Sequence, residues 1–176
     1  IKGRFAGTCL EARLVQPGDA AILAEPCDVL APNAVGAVIN PVAIPDLKAK
    51  VICGAANNQL EESDRDSAAL RDAGVLYVPD FLANRMGIVN CANEQYGYLG
   101  GDDPAIAEPL LRDNPTGVFQ RTLEVLGRAE ASGQTTAQEA VALADDLMEE
   151  QHPLWPHRGQ VIINELVRRG WDRGAY

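Results

Sequence analysis

The sequence predicts an α/β fold with a parallel sheet, because three short apolar runs recur along the first half of the chain. These runs, at residues 27–31, 50–55 and 75–78, each contain a Val-Leu or Val-Ile pair, and sequence of helical character separates them. A spacing of roughly 20 to 25 residues between continuous apolar runs is typical of strands in βαβ units. Ligands of such sheets bind at the carboxyl ends of the strands, so we expect a site in the loops that follow the runs.

The composition predicts a globular protein and disfavours two classes of partner. The 176 residues suffice for one domain, or for a domain with an appendage, and 25 acidic against 15 basic residues give a formal charge of -10. Nucleic acid would be repelled, since only Arg168 and Arg169 form an adjacent basic pair. No apolar run approaches the roughly 18 residues of a membrane span and no signal-peptide pattern occurs, so we expect no membrane partner and a cytoplasmic location.

Neither the cysteines nor the histidines form a metal-binding pattern. The cysteines are far apart in sequence, which predicts reduced thiols in apolar surroundings rather than zinc ligands or a redox pair. They are Cys9, Cys27, Cys53 and Cys91. His152 and His157 flank two prolines without a convergent cysteine or carboxylate pattern, so we predict no metal site.

Helix signals occupy the intervals around the three strands. Residues 20–24 could form one short helix, and two prolines limit any helix within residues 39–48 to a turn or two. Residues 63–66 match a capping box that opens a crossover helix, and Gly74 fits the end of that helix. A right-handed crossover then places the third strand parallel to the second.

More helices are predicted after the third strand. Apolar residues at helical spacing predict a helix that begins after Asn84 and ends near Gly97, with Ile88 and Cys91 on one face. Taken by itself, that face is predicted to be core. Residues 100–104 break the pattern and are expected to form a hinge or loop before a helical segment.

Three amphipathic helices are predicted in that segment, and we interpret them as structural. Asn114 caps the first helix and Pro115 fills its first position. Residues 136–139 form a capping box that opens the second. The third runs from Arg158 to Arg169, and Gly170 is its predicted stop.

Segments in a fixed order resemble one enzyme family. Residues 27–40, 44–60, 77–81 and 84–94 are similar to the cofactor domain of leucine, valine and phenylalanine dehydrogenases, in the glutamate/leucine/phenylalanine/valine dehydrogenase family. The resemblance is dense over residues 15–97 and loose beyond them. It implies a partial Rossmann-type parallel sheet with a C-terminal helical segment: an incomplete NAD-binding Rossmann-like domain in residues 1–99, then helices in residues 100–176.

The resemblance also implies an activity and a cofactor. Enzymes of this family oxidatively deaminate an L-amino acid to the 2-oxo acid and ammonia, and they transfer the hydride to a nicotinamide, here expected to be NAD. The resemblance implies an apolar side-chain pocket, and an apolar lining favours an aliphatic or aromatic substrate over glutamate, because burying an unpaired carboxylate costs several kcal/mol. We expect a branched-chain amino acid first and phenylalanine second.

The same resemblance assigns candidate site residues to two loops and one helix. Asn57 falls at the nicotinamide ribose or the nearby substrate, where an amide can both donate and accept. Asn58 is a further candidate near the substrate, and Ile88 and Cys91 fall where the family lines its side-chain pocket. The residues implied for the adenosine side of the cofactor are Pro32, Asn33, Ala34, Val35 and Gly36.

Parts of the family pattern are missing from the 176 residues. No G-x-G-x-x-G turn occurs, and the preceding catalytic domain is absent, so no catalytic residue is assigned. We expect that N-terminal domain to be supplied by the same or another chain, within a homo-oligomer. The alternative is a non-catalytic subunit or relic domain that serves binding or oligomerisation, with the bulky Arg85 and Met86 marking a lost site.

Overall fold

The computed structural model of the chain describes residue 7 and residues 20–94, 104–149, 167–170 and 173. The chain divides into two compact units, Ile1–Ala140 and Val141–Tyr176. The predicted domain boundary at residues 99 and 100 lies outside the described residues and stays a prediction. Within the described residues, no helix is long and apolar enough to cross a membrane.

A three-stranded parallel sheet forms the centre of the first unit, as predicted. Its strands are β1 (Val29–Leu30), β2 (Val51–Ile52) and β3 (Leu76–Tyr77), and they lie in the order β1-β2-β3. Val29 pairs with Val51, and Val51 pairs with Leu76. The α/β fold class is therefore confirmed.

The strands are shorter than the apolar runs that predicted them, since each has 2 residues. Pro32 and Pro79 each follow a strand by two positions, and a proline has no N–H to donate to a ladder. Beyond this point the neighbouring loops continue to touch through one isolated parallel bridge, between Ile39 and Leu60.

The predicted crossover helix is α1, Ser63–Asp72, and its start differs in detail from the prediction. The capping residue is Glu62, whose carboxylate accepts the N–H groups of Asp64 at 3.1 Å and Arg65 at 2.7 Å. Asp66 closes the cap by accepting the N–H of Glu62 at 2.8 Å. The capping box assigned to residues 63–66 is thus wrong by one residue, because Ser63 is already helical.

Three further local predictions are confirmed. Gly74, just after α1, has a φ of +72°, the left-handed conformation expected at a helix end. Ala20–Ala24 forms a short 3-10 helix as predicted. The proline-limited stretch contains only the 3-10 turn Ile44–Asp46.

Most of the described residues after β3 are helical. They are α2 (Asp80–Ala83), α3 (Met86–Glu94), α4 (Pro104–Ala107), a 3-10 turn (Glu108–Leu110), α5 (Val118–Ser132) and α6 (Thr136–Met148). The predicted end of α3 near Gly97 lies outside the described residues, as does most of the helix predicted from Arg158 to Arg169. Of the break predicted at residues 100–104, only Pro104 is described, and it begins α4. Gly170, its predicted stop, has a φ of +79°.

The start predicted for α5 is wrong, because Asn114 caps a turn and not the helix. Its carboxamide oxygen accepts the N–H of Thr116 at 2.9 Å and the hydroxyl of Thr116 at 3.0 Å. The chain then extends through Gly117, which is the helix cap, and α5 begins at Val118. The prolyl residue predicted for the first helical position therefore lies before the helix.

The capping box of α6 is also displaced by one residue. Gln138 N–H donates to the Thr135 hydroxyl at 3.2 Å, and Thr135 N–H donates to the Gln138 carboxamide oxygen at 3.1 Å. Thr136, the predicted cap, instead donates its hydroxyl to the carbonyl of Tyr77 at 2.6 Å. A long-range bond to β3 thus decides which of the two threonines caps the helix.

The apolar core lies between the sheet and α1. Ile39, Ile52 and Leu70 are fully buried there, and Tyr77 packs against them. Burying each of these aliphatic side chains contributes about 1.5–3 kcal/mol. This core fixes the three strand ends in one place, which positions the loops that follow them.

Replacement of Gly54 by alanine should destabilise the fold strongly. A Cβ atom at Gly54 would lie 2.2 Å from the Pro32 carbonyl oxygen, so backbone must move, and we expect a loss of at least about 2 kcal/mol. Gly127→Ala is the matched control, because a Cβ there meets nothing within 4 Å and lies inside α5, where alanine adds about 0.5–1 kcal/mol. Urea unfolding measures both, and equal stabilities of the two variants would contradict this packing.

Candidate functional site

Two loops meet at the carboxyl edge of the sheet. The loop after β1 begins at Pro32, whose carbonyl accepts the N–H of Ala56 at 2.9 Å. The side-chain oxygen of Asn33 accepts the N–H of Ala55 at 2.8 Å. Two hydrogen bonds therefore join the loop after β1 to the loop after β2.

Gly36 allows the far ends of these loops to approach. A Cβ atom at this position would lie 2.8 Å from the carbonyl oxygens of both Asn57 and Asn58. The N–H of Ala37 then donates to the Asn58 carbonyl at 2.7 Å. The structure thus brings together the residues that the sequence assigned to the cofactor, from Pro32 to Gly36 and at Asn57.

Asn57 presents an amide at this edge and is held there by Asn84. The Asn84 Nδ2 donates to Asn57 Oδ1 at 2.6 Å and to the carbonyl of Ala55 at 3.2 Å. Asn57 is exposed, and its Nδ2 makes no hydrogen bond to any residue in the described part of the chain. Both N–H groups of this oriented amide are therefore available to a ligand.

A buried carboxylate lies beneath the two asparagines of the β2 loop. Asp80, the first residue of α2, is only 8% exposed, and its Oδ2 accepts the N–H of Asn58 at 2.8 Å. Its Oδ1 accepts the hydroxyl proton of Tyr77 at 2.9 Å. Burial, followed by the hydrogen bond to the Asp80 carboxylate, raises the pKa of Tyr77 well above its usual range, so this phenol remains a donor.

Asn58 has an unusual backbone conformation for a residue with a side chain. Its φ is +52°, in the left-handed region that costs most residues about 1–2 kcal/mol and that asparagine tolerates best. The side chain is exposed at the same edge as Asn57. Its predicted part in substrate binding stays a prediction.

Gln59 is fully buried directly after these asparagines. Its Nε2 donates to the carbonyls of Gly54 at 2.8 Å and Ala56 at 3.0 Å, which fixes which end of the amide is the nitrogen. Its Oε1 is buried without a hydrogen-bond partner. Gln59 therefore braces the β2 loop from within.

Ile88 and Cys91 lie on α3, and the expectation that their face is core is wrong. Ile88 is 77% exposed, and Cys91 is exposed as well. Among the described residues of the first unit, none packs on this face closely enough to bury it. Their predicted place in a substrate pocket is compatible with exposure and stays a prediction.

Arg85, one of the two bulky residues that the alternative interpretation takes to mark a lost site, is turned toward the segment before α5. Its guanidinium donates to the carbonyl of Thr116. Partial burial, with a smaller effect from the nearby charge of Arg121, lowers the pKa of Arg85. Its side chain therefore links the start of α3 to the segment that precedes α5.

The described residues form no cluster of metal-binding side chains. Among them, no group of three or more His, Cys, Asp or Glu side chains could hold a metal ion. Cys27 and Cys53 are free and partly buried, and Cys91 is free and exposed, so the apolar surroundings predicted for the thiols are only partial. Cys9, His152 and His157 lie outside the described residues.

The chemistry of the edge fits the sugar part of a nucleotide. Ribose hydroxyls both donate and accept, and the Asn57 amide, oriented by Asn84 and with Nδ2 available, suits such a group. A pyrophosphate usually requires a glycine-rich turn at a helix start, and the sequence contains none. An amide held in this way can therefore hydrogen-bond a sugar hydroxyl.

Comparison with known proteins identifies the family. A model of the glutamate/leucine/phenylalanine/valine dehydrogenase family matches residues 6–144. The chain belongs to this family. Leucine dehydrogenase of Bacillus subtilis is 43% identical over 119 residues, which are 66% of this chain and 30% of that protein. Valine dehydrogenase of Streptomyces coelicolor is 36% identical over 135 residues, 77% of this chain and 35% of that protein.

A solved relative supports the same assignment for the fold. The crystal structure of L-tryptophan dehydrogenase from Nostoc punctiforme matches with a TM-score of 0.63 and 35% identity, over 72% of this chain and 35% of that one. The fold is thus a partial Rossmann-type parallel sheet with a C-terminal helical segment. The chain spans about a third of the length of these relatives, from 30% to 35%.

Sequence reasoning missed the supporting residues of the site. Asp80, Tyr77 and Gln59 were given no role, although Asp80 directly follows an apolar strand and a proline. An acidic residue at a strand end is a usable signal, because the carboxyl edge gathers side chains from neighbouring strands. Gln59 carried no such signal, since only the fold reveals that it is buried.

Gln59→Glu should disrupt the β2 loop although the two side chains have nearly the same size. A carboxylate oxygen would face the carbonyls of Gly54 and Ala56 in place of the donating nitrogen, and we expect a loss of about 3 kcal/mol in the free energy of unfolding. Gln120→Glu is the control, because Gln120 is only half-buried on α5 and donates to the Arg112 carbonyl in a solvent-exposed hydrogen bond. Chemical denaturation at neutral pH compares them, and equal losses would mean that Gln59 is not a buried brace.

Proposed function

We propose that this chain is the cofactor-domain part of an NAD-dependent amino-acid dehydrogenase. The reaction is oxidative deamination of an apolar L-amino acid to the 2-oxo acid and ammonia. The observation that carries the proposal is the exposed Asn57 amide, oriented by Asn84 at the carboxyl edge of a parallel sheet, in a chain of this family. That edge is where ligands of such sheets bind.

The cofactor is proposed to lie along the two joined loops. Its adenosine side contacts the β1 loop, at Pro32, Asn33, Ala34, Val35 and Gly36, and its nicotinamide ribose meets Asn57. When bound, NAD supplies the acceptor of the hydride. The chain's own contribution is to bind and orient, since its exposed amides donate and accept hydrogen bonds without carrying charge.

The substrate is proposed to be a branched-chain amino acid first and phenylalanine second. The relatives are named for leucine, valine and tryptophan, which are all apolar and range from aliphatic to aromatic. Ile88 and Cys91 would line the side-chain pocket from α3, and Asn58 would lie near the reacting end of the substrate. One methylene in such a pocket changes specificity by only about 1–3 kcal/mol, so several substrates should be accepted.

The remaining parts of the site are proposed to come from an N-terminal catalytic domain, within a homo-oligomer. The outer edge of β1 is a suitable place for its attachment. The carbonyls of Asp28 and Leu30 accept N–H groups of β2, so the backbone groups of Val29, between them, face away from β2. Among the described residues, no strand pairs with that edge, and Val29 is 56% exposed.

Val29→Pro should therefore weaken the complete protein more than the 176-residue chain. Proline removes an N–H that β2 does not use, and a strand docked on β1 would lose its partner, at a cost of about 1–3 kcal/mol. Thermal unfolding of the variant and wild type, each as the chain and as the complete protein, measures the difference. An equal shift in both backgrounds would place the missing domain elsewhere.

Asn57→Ala should lower hydride transfer at least about tenfold in the complete enzyme, because the cofactor loses an oriented hydrogen-bond partner. Formation of NADH from leucine, valine, isoleucine, phenylalanine and glutamate gives the rate and the substrate preference together. Gln120→Ala, on α5 and outside the two loops of the site, is the control and should leave the rate unchanged. Absence of NADH formation from every substrate by the folded complete protein would favour the alternative, a non-catalytic or relic domain.

A further inference from the structure

Asp80 is connected to both asparagine side chains of the site through different atoms. Its Oδ2 accepts the N–H of Asn58 at 2.8 Å, and its main-chain carbonyl accepts the N–H of Asn84 at 2.8 Å. Asn58 directly follows Asn57, and Asn84 binds the Asn57 side chain at 2.6 Å. Asn57 is thus fixed from two directions by groups that Asp80 holds.

The Asp80 carboxylate is itself locked in one orientation. The Tyr77 hydroxyl donates to its Oδ1 at 2.9 Å and accepts the N–H of Asp80 at 3.3 Å. Both residues are buried, so water does not compete for these bonds. Because each carboxylate oxygen has its own donor, rotation of the side chain would break both hydrogen bonds.

The bond to Asn58 restrains a backbone conformation that is unfavourable without support. At a φ of +52°, Asn58 turns the chain sharply, and this turn sets the direction of the preceding Asn57. A hydrogen bond from a backbone N–H to a carboxylate is stronger than one between neutral groups. The Ala37 N–H, which donates to the Asn58 carbonyl, restrains only the other side of the same turn.

We propose that Asp80 is the positioning residue of this site, and that it holds the Asn57 amide in the orientation that binds the nicotinamide-ribose side of the cofactor. The inference rests on the proposed function. Asp80 touches neither cofactor nor substrate in this role and acts through Asn57. Tyr77 supports it by fixing the carboxylate.

A second buried aspartate provides a matched control. Asp66 is fully buried and accepts hydrogen bonds from Arg65 Nε at 2.7 Å and from Glu62 N–H at 2.8 Å. Its bonds stabilise the start of α1 and do not reach Asn57. Asp66→Asn and Asp80→Asn each replace a buried carboxylate by an uncharged carboxamide. Only Asp80→Asn alters a hydrogen bond to the loop that carries Asn57.

The test uses the complete enzyme and two readouts, one of which needs no nucleotide. The first is the dissociation constant of NADH, from its fluorescence; the second is hydrogen exchange at the Asn58 amide in the protein alone. In Asp80→Asn one carboxylate oxygen becomes a donating NH2 group, so the side chain loses one of its two hydrogen bonds and the other loses its charged acceptor. We therefore expect the dissociation constant to rise about tenfold and the exchange to accelerate about tenfold. Asp66→Asn should lower the melting temperature and change neither readout.

A double variant separates positioning from general stabilisation. If Asp80 acts through Asn57, then NADH should bind to Asp80→Asn/Asn57→Ala as weakly as to Asn57→Ala alone. Multiplied effects of the two substitutions would overturn the proposal, as would an Asp80→Asn enzyme that matches Asp66→Asn in both readouts. If Asp80→Asn does not fold, Tyr77→Phe replaces it in the same comparison, with an expected change of about threefold.

The outcomes also distinguish this inference from the proposed function. A folded wild-type enzyme that does not bind NADH would refute the proposed function, and the role of Asp80 toward the cofactor would fall with it. A wild-type enzyme that binds NADH and is weakened by Asn57→Ala, with no effect of Asp80→Asn, would refute only the positioning role.

Discussion

At Gly54 the chain passes so close to Pro32 that a side chain would not fit between them, since a Cβ atom would lie 2.2 Å from the proline carbonyl oxygen. This approach allows the Asn33 carboxamide and the Pro32 carbonyl to bind the backbone of the β2 loop. The two loops then behave as one surface. The joined loops carry the Asn57 amide at their far end, and the Asp80 carboxylate binds the same stretch from beneath, at the N–H of Asn58.

The edge of the sheet combines buried polar groups with an apolar core only a few residues away. Asp80 is satisfied through Tyr77 and Asn58, and the Gln59 nitrogen is satisfied through two carbonyls. Buried polar groups stabilise one arrangement strongly, because each alternative leaves a donor or acceptor without a partner. The Gln59 oxygen is the exception, and it contributes a cost in place of a stabilisation. Hydrogen bonds between buried polar groups hold the site rigid, whereas close packing of apolar side chains holds the core beneath it rigid.

The sequence was sufficient for the features that depend on local patterns. Three Val-Leu or Val-Ile pairs predicted the parallel strands, and Gly74 predicted the end of α1. The starts of α1, α5 and α6 were displaced, and for α6 the choice between two adjacent threonines depends on a distant partner. Thr136 is drawn to the Tyr77 carbonyl, 59 residues away, and this leaves the cap to Thr135. The pairing of Asp80 with Asn58, 22 residues apart, was equally invisible without the fold.

The bond between Thr136 and Tyr77 also makes the two borders of the sheet unequal. The Tyr77 carbonyl is on the outer side of β3, and the threonine hydroxyl occupies it, so that border cannot template another strand. The outer border of β1 has no such protection among the described residues. Among the described residues, the β1 border is therefore the side of the sheet on which a second copy of this chain could add a strand, and two copies paired through it would form a closed dimer with no such border left.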